Sequence, residues 1–350
     1  MPFNPTQLAQ GANATLETYR RNDPIDQVNT AHEVLKWLLK NKKPSTFGNG
    51  FYNETVYFTN ASNYQNYFGA DQVTYNEREQ TRFAKFSYYN HHDGFWFDED
   101  RLAANNIILT DDGDAQVSDS EMQQLVNLLE TSYYGLKEGI NEGMADEFLL
   151  DGSTNPKAVP GLDHLISTNP TVGIVGGINA ANAAYWRNNT NLGLATGQAL
   201  IDGMEKTWRD CTRFGGLVPD YIPCGSSFLD AYRIAAGQTI NRQINDGGNA
   251  KGGITLDASV SGTFFKGIPL VWDPTFDALD AKLGAIANPW AKRCYFLNSK
   301  TIKLRPLKGH WMVTRRPERL PDRYVHYFGQ TSKYGMTINK RNANAVLSVA

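Results

Sequence analysis

The residues best suited to chemistry lie early in the chain: His91, His92 and Asp93, followed by Asp98, Glu99 and Asp100. Imidazole and carboxylate are metal-ligand types. Neighbouring residues on a strand point to opposite faces, so His91 and His92 are badly placed to share one ion. An acidic, polar turn at a strand end explains the segment better. Two glycine clusters, GIVGGINA from Gly173 and GGNAKGG at 247–253, invite a phosphate-loop reading. Neither has the G-x-x-x-x-G-K-[ST] spacing or a G-x-G-x-x-G between strand and helix. Ser226 and Ser227 stand beside Cys224 in CGSSFLDAY, with His164, His310 and His326 as remote bases. No G-x-S-x-G elbow is present, and a helix N-cap accounts for Ser226. Acids and tryptophans make glycoside hydrolysis the least implausible enzyme class, yet no carboxylate pair stands out. The residues therefore predict a protein that is not an enzyme, with no catalytic, cofactor-binding or metal-binding residue and no cofactor.

The elements that would position such groups point elsewhere. The chain has 350 residues, enough for two or three regions with separate cores. Its formal charge of −2 hides a split: residues 1–290 carry a net −13 and residues 291–341 a net +11. A basic strip of that kind faces either a polyanion or the acidic region of another copy, and the spread of Lys300, Lys303 and Arg305 along strands favours another copy. Cys211, Cys224 and Cys294 show no C-x-x-C spacing and read as reduced thiols. No signal-peptide pattern opens the chain, and no apolar run is long enough to span a membrane.

Residues 1–27 read as a polar arm, and 28–40 as a short amphipathic helix carrying Val34, Leu35, Trp37, Leu38 and Leu39. FYNETVYF and RFAKFSYYN favour strands and enclose a polar stretch rich in Asn and Gln, which predicts a long two-stranded excursion. Such a hairpin is marginal without a neighbour. Ser118 and Glu121 form a capping box for a helix over 118–150 of about 48 Å. Gly135, Gly139 and Gly143 recur along it every four residues, predicting a flat seam for another backbone or a place to bend. Residues 151–194 read as loop-rich, 195–213 and 226–236 as helices, and the chain after 290 as mostly strand. The 17 Phe, 17 Tyr and 7 Trp suit interfaces. Aromatic residues with basic ones between them, as in HWMVTRR and RYVHYFGQT, also loosely fit single-strand binding.

The order of these elements, with GLDHLIS at 161–167 and VGGIN…YWRN at 175–188, resembles the tailed-bacteriophage major capsid protein family with its Hong Kong 97-type fold. The resemblance covers essentially the whole chain. It implies an α+β fold divided as follows: N-terminal arm with short helix, 1–50; extended β-hairpin loop, 51–99; peripheral domain with its spine helix, 100–194; axial domain, 195–290; and a strand-rich return completing both domains, 291–350. It also implies self-assembly as pentamers and hexamers into an icosahedral shell around double-stranded DNA. Further implications are a virion location after assembly in the bacterial host cytoplasm, a separate scaffolding protein and portal, room for a decoration protein, and non-specific contact with packaged DNA.

The candidate assembly residues are Trp37, Lys85, Ser118, Glu121, Gly135, Gly139, Gly143, Trp186, Arg187, Arg315 and Arg316. Lys85 is the only lysine in the proposed loop, and no matching asparagine or glutamate predicts a crosslink. An encapsulin-type nanocompartment shares the fold, but the long 51–99 excursion favours the phage shell. A glycoside hydrolase-like enzyme ranks lower.

Overall fold

A computed structural model describes residues 31–45, 50–104, 119–244, 263–284, 286–315 and 325–350, without the side chains of 119–127 and 238–244. The predicted arm, Ser118, Arg316 and the Glu121 side chain fall outside this description.

The elements in chain order begin with α1 (Glu33–Lys40), β1 (Phe51–Tyr57), β2 (Thr81–Ser87), β3 (Tyr89–Asp98), α2 (Glu99–Ala104) and the long α3 (Asp119–Leu149). The short α4 (Leu162–Leu165), β4 (Ile174–Val175), β5 (Ile178–Asn179) and β6 (Asn189–Leu194) come next. After them come α5 (Gln198–Thr212), β7 (Ile222–Cys224), α6 (Ser226–Ile244), β8 (Phe264–Phe265), β9 (Ile268–Trp272) and α7 (Pro274–Leu283). The chain closes with β10 (Arg293–Phe296), β11 (Ile302–Pro306), β12 (Val313–Arg315), β13 (Val325–Ile338) and β14 (Ala345–Val349). Contacts divide the chain into two compact units.

The first unit includes residues 90–144 and 309–333. β12 pairs antiparallel with β13, from Val313↔Thr331 to Arg315↔Gly329, and β3 also pairs with β13. A side chain at Gly94 would meet the Phe328 carbonyl oxygen at 2.7 Å, so glycine is what lets these strands approach. The small core joins Phe97, Leu102 and Leu128. Phe95 stacks on Phe328 at 5.4 Å and meets Tyr133 of α3 edge-on at 5.2 Å.

His91 is half-buried on β3, and burial pushes its imidazole down to about 4, whereas His92 is exposed. Below pH 6.5 an unfolded chain protonates this group before the folded chain does, so stability should fall as pH drops from 6.5 towards 4. Thermal midpoints at pH 7 and pH 4.5 should show this fall, and His91→Gln should reduce it. An unchanged acid slope in the variant would exclude His91 as its source.

The second unit includes residues 31–89, 145–308 and 334–350. Its main sheet has the order β6-β14-β10-β7-β9-β8. α5 and α6 supply Leu200, Met204, Trp208, Phe228 and Tyr232 to its core, where they meet Phe265, Phe296 and Leu347. The 151–194 stretch read as loop-rich ends in β6, which pairs parallel with β14, the last strand of the chain. The predicted helix 226–236 runs on to Ile244. The mostly-strand stretch after 290 includes one long strand, β13, that runs through YVHYFGQT into YGMTIN.

Cys211, Cys224 and Cys294 are buried and free. Burial pushes the Cys224 thiol up to about 12, the opposite of nucleophile activation.

Asp273 ties α1 to this unit. One carboxylate oxygen accepts from Thr275 N at 2.9 Å, capping α7, and the other accepts from Val34 N at 2.8 Å, capping α1. Asp273→Ala should cost about 1–2 kcal/mol for each helix end it uncaps. Urea unfolding would read this as a lower midpoint, together with faster exchange of α1 amides. Unchanged exchange at α1 would refute the double cap.

Candidate assembly surface

The hairpin of β1 and β2 pairs from Phe51↔Ser87 to Tyr57↔Thr81. Strand alternation gives it one covered and one open face. Tyr52, Val56, Ala84 and Phe86 are buried, while Phe51, Asn53, Thr55, Tyr57, Phe83 and Lys85 are exposed. The excursion ends at Ser87, because 89–98 forms β3 and pairs with β13.

The covered face finds its neighbour within the second unit. The Tyr52 hydroxyl donates to Arg305 O at 2.8 Å, and Glu54 accepts from Arg305 Nη2 at 2.5 Å and from Thr337 Oγ1 at 2.8 Å. Gly176, at φ +60°, lies so close that an added Cβ would meet Ala84 Cβ at 2.9 Å, and its carbonyl accepts from Lys85 N at 2.9 Å. The root is thus fixed, while the Lys85 side chain stays on the open face.

Beyond the strands, side-chain amides replace the backbone ladder. Asn63 donates to Thr74 O at 2.5 Å, Asn76 to Ala61 O at 3.1 Å and Gln80 to Asn60 O at 3.2 Å. The turn closes where Asp71 N donates to Phe68 O at 3.1 Å and the Asp71 carboxylate accepts from Phe68 N at 3.0 Å. This explains the Asn and Gln content of the excursion. It also leaves Tyr64, Tyr67, Phe68 and Tyr75 in solvent, with Phe68 89% and Tyr75 92% exposed. Exposed rings this concentrated mark an interaction surface.

The segments 161–167 and 175–188 converge on one buried cation that the sequence reading missed. Arg341, 1% exposed, donates to Leu165 O at 2.8 Å, Trp186 O at 2.8 Å and Asn188 Oδ1 at 3.0 Å. Burial pulls its guanidinium down to about 10. Trp186 is itself buried and donates from Nε1 to Val175 O at 2.9 Å. Arg187 donates to Ala180 O and Ala181 O, both at 2.8 Å, and so fastens the chain just after β5, next to the β4–β5 turn whose Gly176 meets the hairpin root. Trp186 and Arg187 are thus both bonded within the protomer.

Trp37 also acts internally, stacked on Tyr221 at 5.1 Å. Arg315 is exposed and donates to Thr331 Oγ1 at 3.1 Å.

Gly135, Gly139 and Gly143 are exposed on α3. A methyl group at Gly135 or Gly143 would meet nothing within 4 Å, and at Gly139 only Asp93 Oδ2 at 3.5 Å. The close backbone approach expected of a seam is absent among the described residues. Replacing all three with alanine should therefore stabilise the helix by about 0.5–1 kcal/mol per site. A higher thermal midpoint is the expected result. If shell formation or expansion falls at the same time, the stripe serves contacts or bending in the assembly. Unchanged rates would dismiss both roles.

Among the described residues no group of three or more His, Cys, Asp or Glu could hold a metal, and no helix is long and apolar enough to cross a membrane.

Comparison with solved structures places this geometry in a known class. The chain matches the capsid asymmetric unit of cyanophage A-1(L) with a TM-score of 0.59 and 14% identity, over 96% of this chain and 98% of that one. It matches the capsid of Myoviridae phage XM1 with a TM-score of 0.56 and 10% identity, over 94% and 95% of the two chains. A chain of mycobacterium phage Bobi matches with a TM-score of 0.56 and 11% identity, over 94% of each. No protein-family model and no curated sequence matches the chain. The fold is the α+β, Hong Kong 97-type fold of phage capsid chains.

Proposed function

We propose that this chain is a major capsid protein that assembles with its own copies, as pentamers and hexamers, into the icosahedral shell of a tailed phage enclosing double-stranded DNA. The observation that carries the reading is the hairpin, whose root is bonded into the protomer while its tip holds four aromatic rings in water. Such a surface is a liability for an isolated chain and a joint for a shell. The near end-to-end similarity to phage capsid chains supports the same reading. A separate scaffolding protein, a portal, assembly in the host cytoplasm and weak contact with packaged DNA belong to this proposal.

Sedimentation velocity of the expressed chain tests it. Large particles or discrete rings are expected, and a concentration-independent 39.0 kDa species would count against it. The opposite net charges before and after residue 291 predict that assembly weakens with added salt. Charge reversal at Arg315 and Arg316 should harm assembly more than DNA retention. The reverse outcome would turn that surface towards DNA.

A further inference from the structure

The second unit contains a groove of about 1110 Å³ between the outer end of the hairpin root, the segment after Trp186, the segment 213–217 and the chain after β13. Arg187, Arg213, Lys300 and Lys340 line it, and no Asp or Glu is among its lining residues. Tyr57, Phe58, Tyr185 and Phe214 share the lining with these cations. Phe214 is half-exposed beneath the Arg213 guanidinium, 5.5 Å from its ring centre, and Tyr57 is likewise half-exposed. Phe58 and Tyr185 pair at 5.5 Å.

Polar groups of the same wall are left wanting. The Tyr185 hydroxyl and the side-chain oxygens of Asn339 and Asn342 are buried with no hydrogen-bond partner among the described residues. Leaving a buried polar atom unpaired is costly, and a ligand's donor that reached it would offset that cost.

We propose that this groove binds a short stretch of single-stranded nucleic acid. Phosphates would meet Arg213 and Lys300, bases would stack on Phe214 and Tyr57, and base amino groups would reach the asparagine oxygens. Every base has a π-face, so rings interleaved with cations accept a strand of any sequence. A duplex keeps its bases stacked on each other and offers only phosphate. An acidic peptide would satisfy the cations and leave the rings unused.

The test is fluorescence anisotropy on the full-length protein with a labelled oligothymidylate of about twelve nucleotides. Saturable binding that weakens with salt is expected, with duplex of equal phosphate count and polyglutamate competing at least about tenfold less well. Phe214→Ala and Arg213→Gln should each weaken binding by about tenfold, because stacking and phosphate contacts act together. Photo-crosslinking with a thiothymidine probe should mark the peptide containing Phe214. Equal competition by duplex or polyglutamate would reduce the groove to a plain cationic patch. No binding, or full binding by Phe214→Ala, would overturn the proposal. Particle imaging of the same variants separates the two readings, since shells that form without binding oligonucleotide sink only this inference.

Discussion

Replacing Arg341 with methionine should destabilise the protomer by about 3–5 kcal/mol. The side chain is 1% exposed and its guanidinium is the donor for Leu165 O, Trp186 O and Asn188 Oδ1. Methionine fills much of the volume but leaves all three oxygens without that donor. These oxygens lie in the 165–188 stretch, far in sequence from Arg341, so their loss frees that stretch from the chain's C-terminal part and loosens the support of the hairpin root. A loss of this size is a large part of a domain's total stability. The expected result is mostly insoluble protein, or a much lower urea midpoint for what remains soluble. Arg341→Lys keeps the charge without the planar fork and should fall between the two. A methionine variant with a native midpoint would show that the convergence on Arg341 carries little energy.

Removing the four rings at the hairpin tip should have the opposite profile. Tyr64, Tyr67, Phe68 and Tyr75 are exposed, and the bonds that shape the tip run through Asn63, Asp71, Asn76 and Gln80. A variant with serine at all four ring positions should keep the protomer's thermal midpoint, with changes of about 0.5 kcal/mol or less per site. Assembly should fail or stop at small oligomers, because aromatic anchors carry much of an interface's energy. The pair of results separates residues that build the protomer from those that join protomers. If the variant assembles with wild-type yield, the tip is not a joint.

The sequence made some of this visible and concealed the rest for physical reasons. α3 was legible because its apolar residues hold helical spacing over many turns. β1 and β2 were legible because β-branched and aromatic residues cluster there. The phrases at 161–188 carried the resemblance, but their common partner, Arg341, lies more than 150 residues away from the first of them, and no local pattern marks it. β6 was missed because NTNLGL is polar and its pairing with β14 is long-range. α7 was missed although Asp273 and Pro274 are an N-cap and a first-turn proline, signals that read locally. Trp186 and Arg187 are candidates through the YWRN phrase and Trp37 through its place on the amphipathic helix, and each makes contacts within the protomer that no local pattern announces. The tip rings, passed over as polar loop, are the more exposed surface.

Cryo-electron microscopy of the purified, expressed chain tests the central claim most directly. Closed shells built from rings of five and six copies, with each hairpin tip covered by another copy, are the predicted result. Dispersed single chains whose tip rings stay in solvent at every concentration would contradict it.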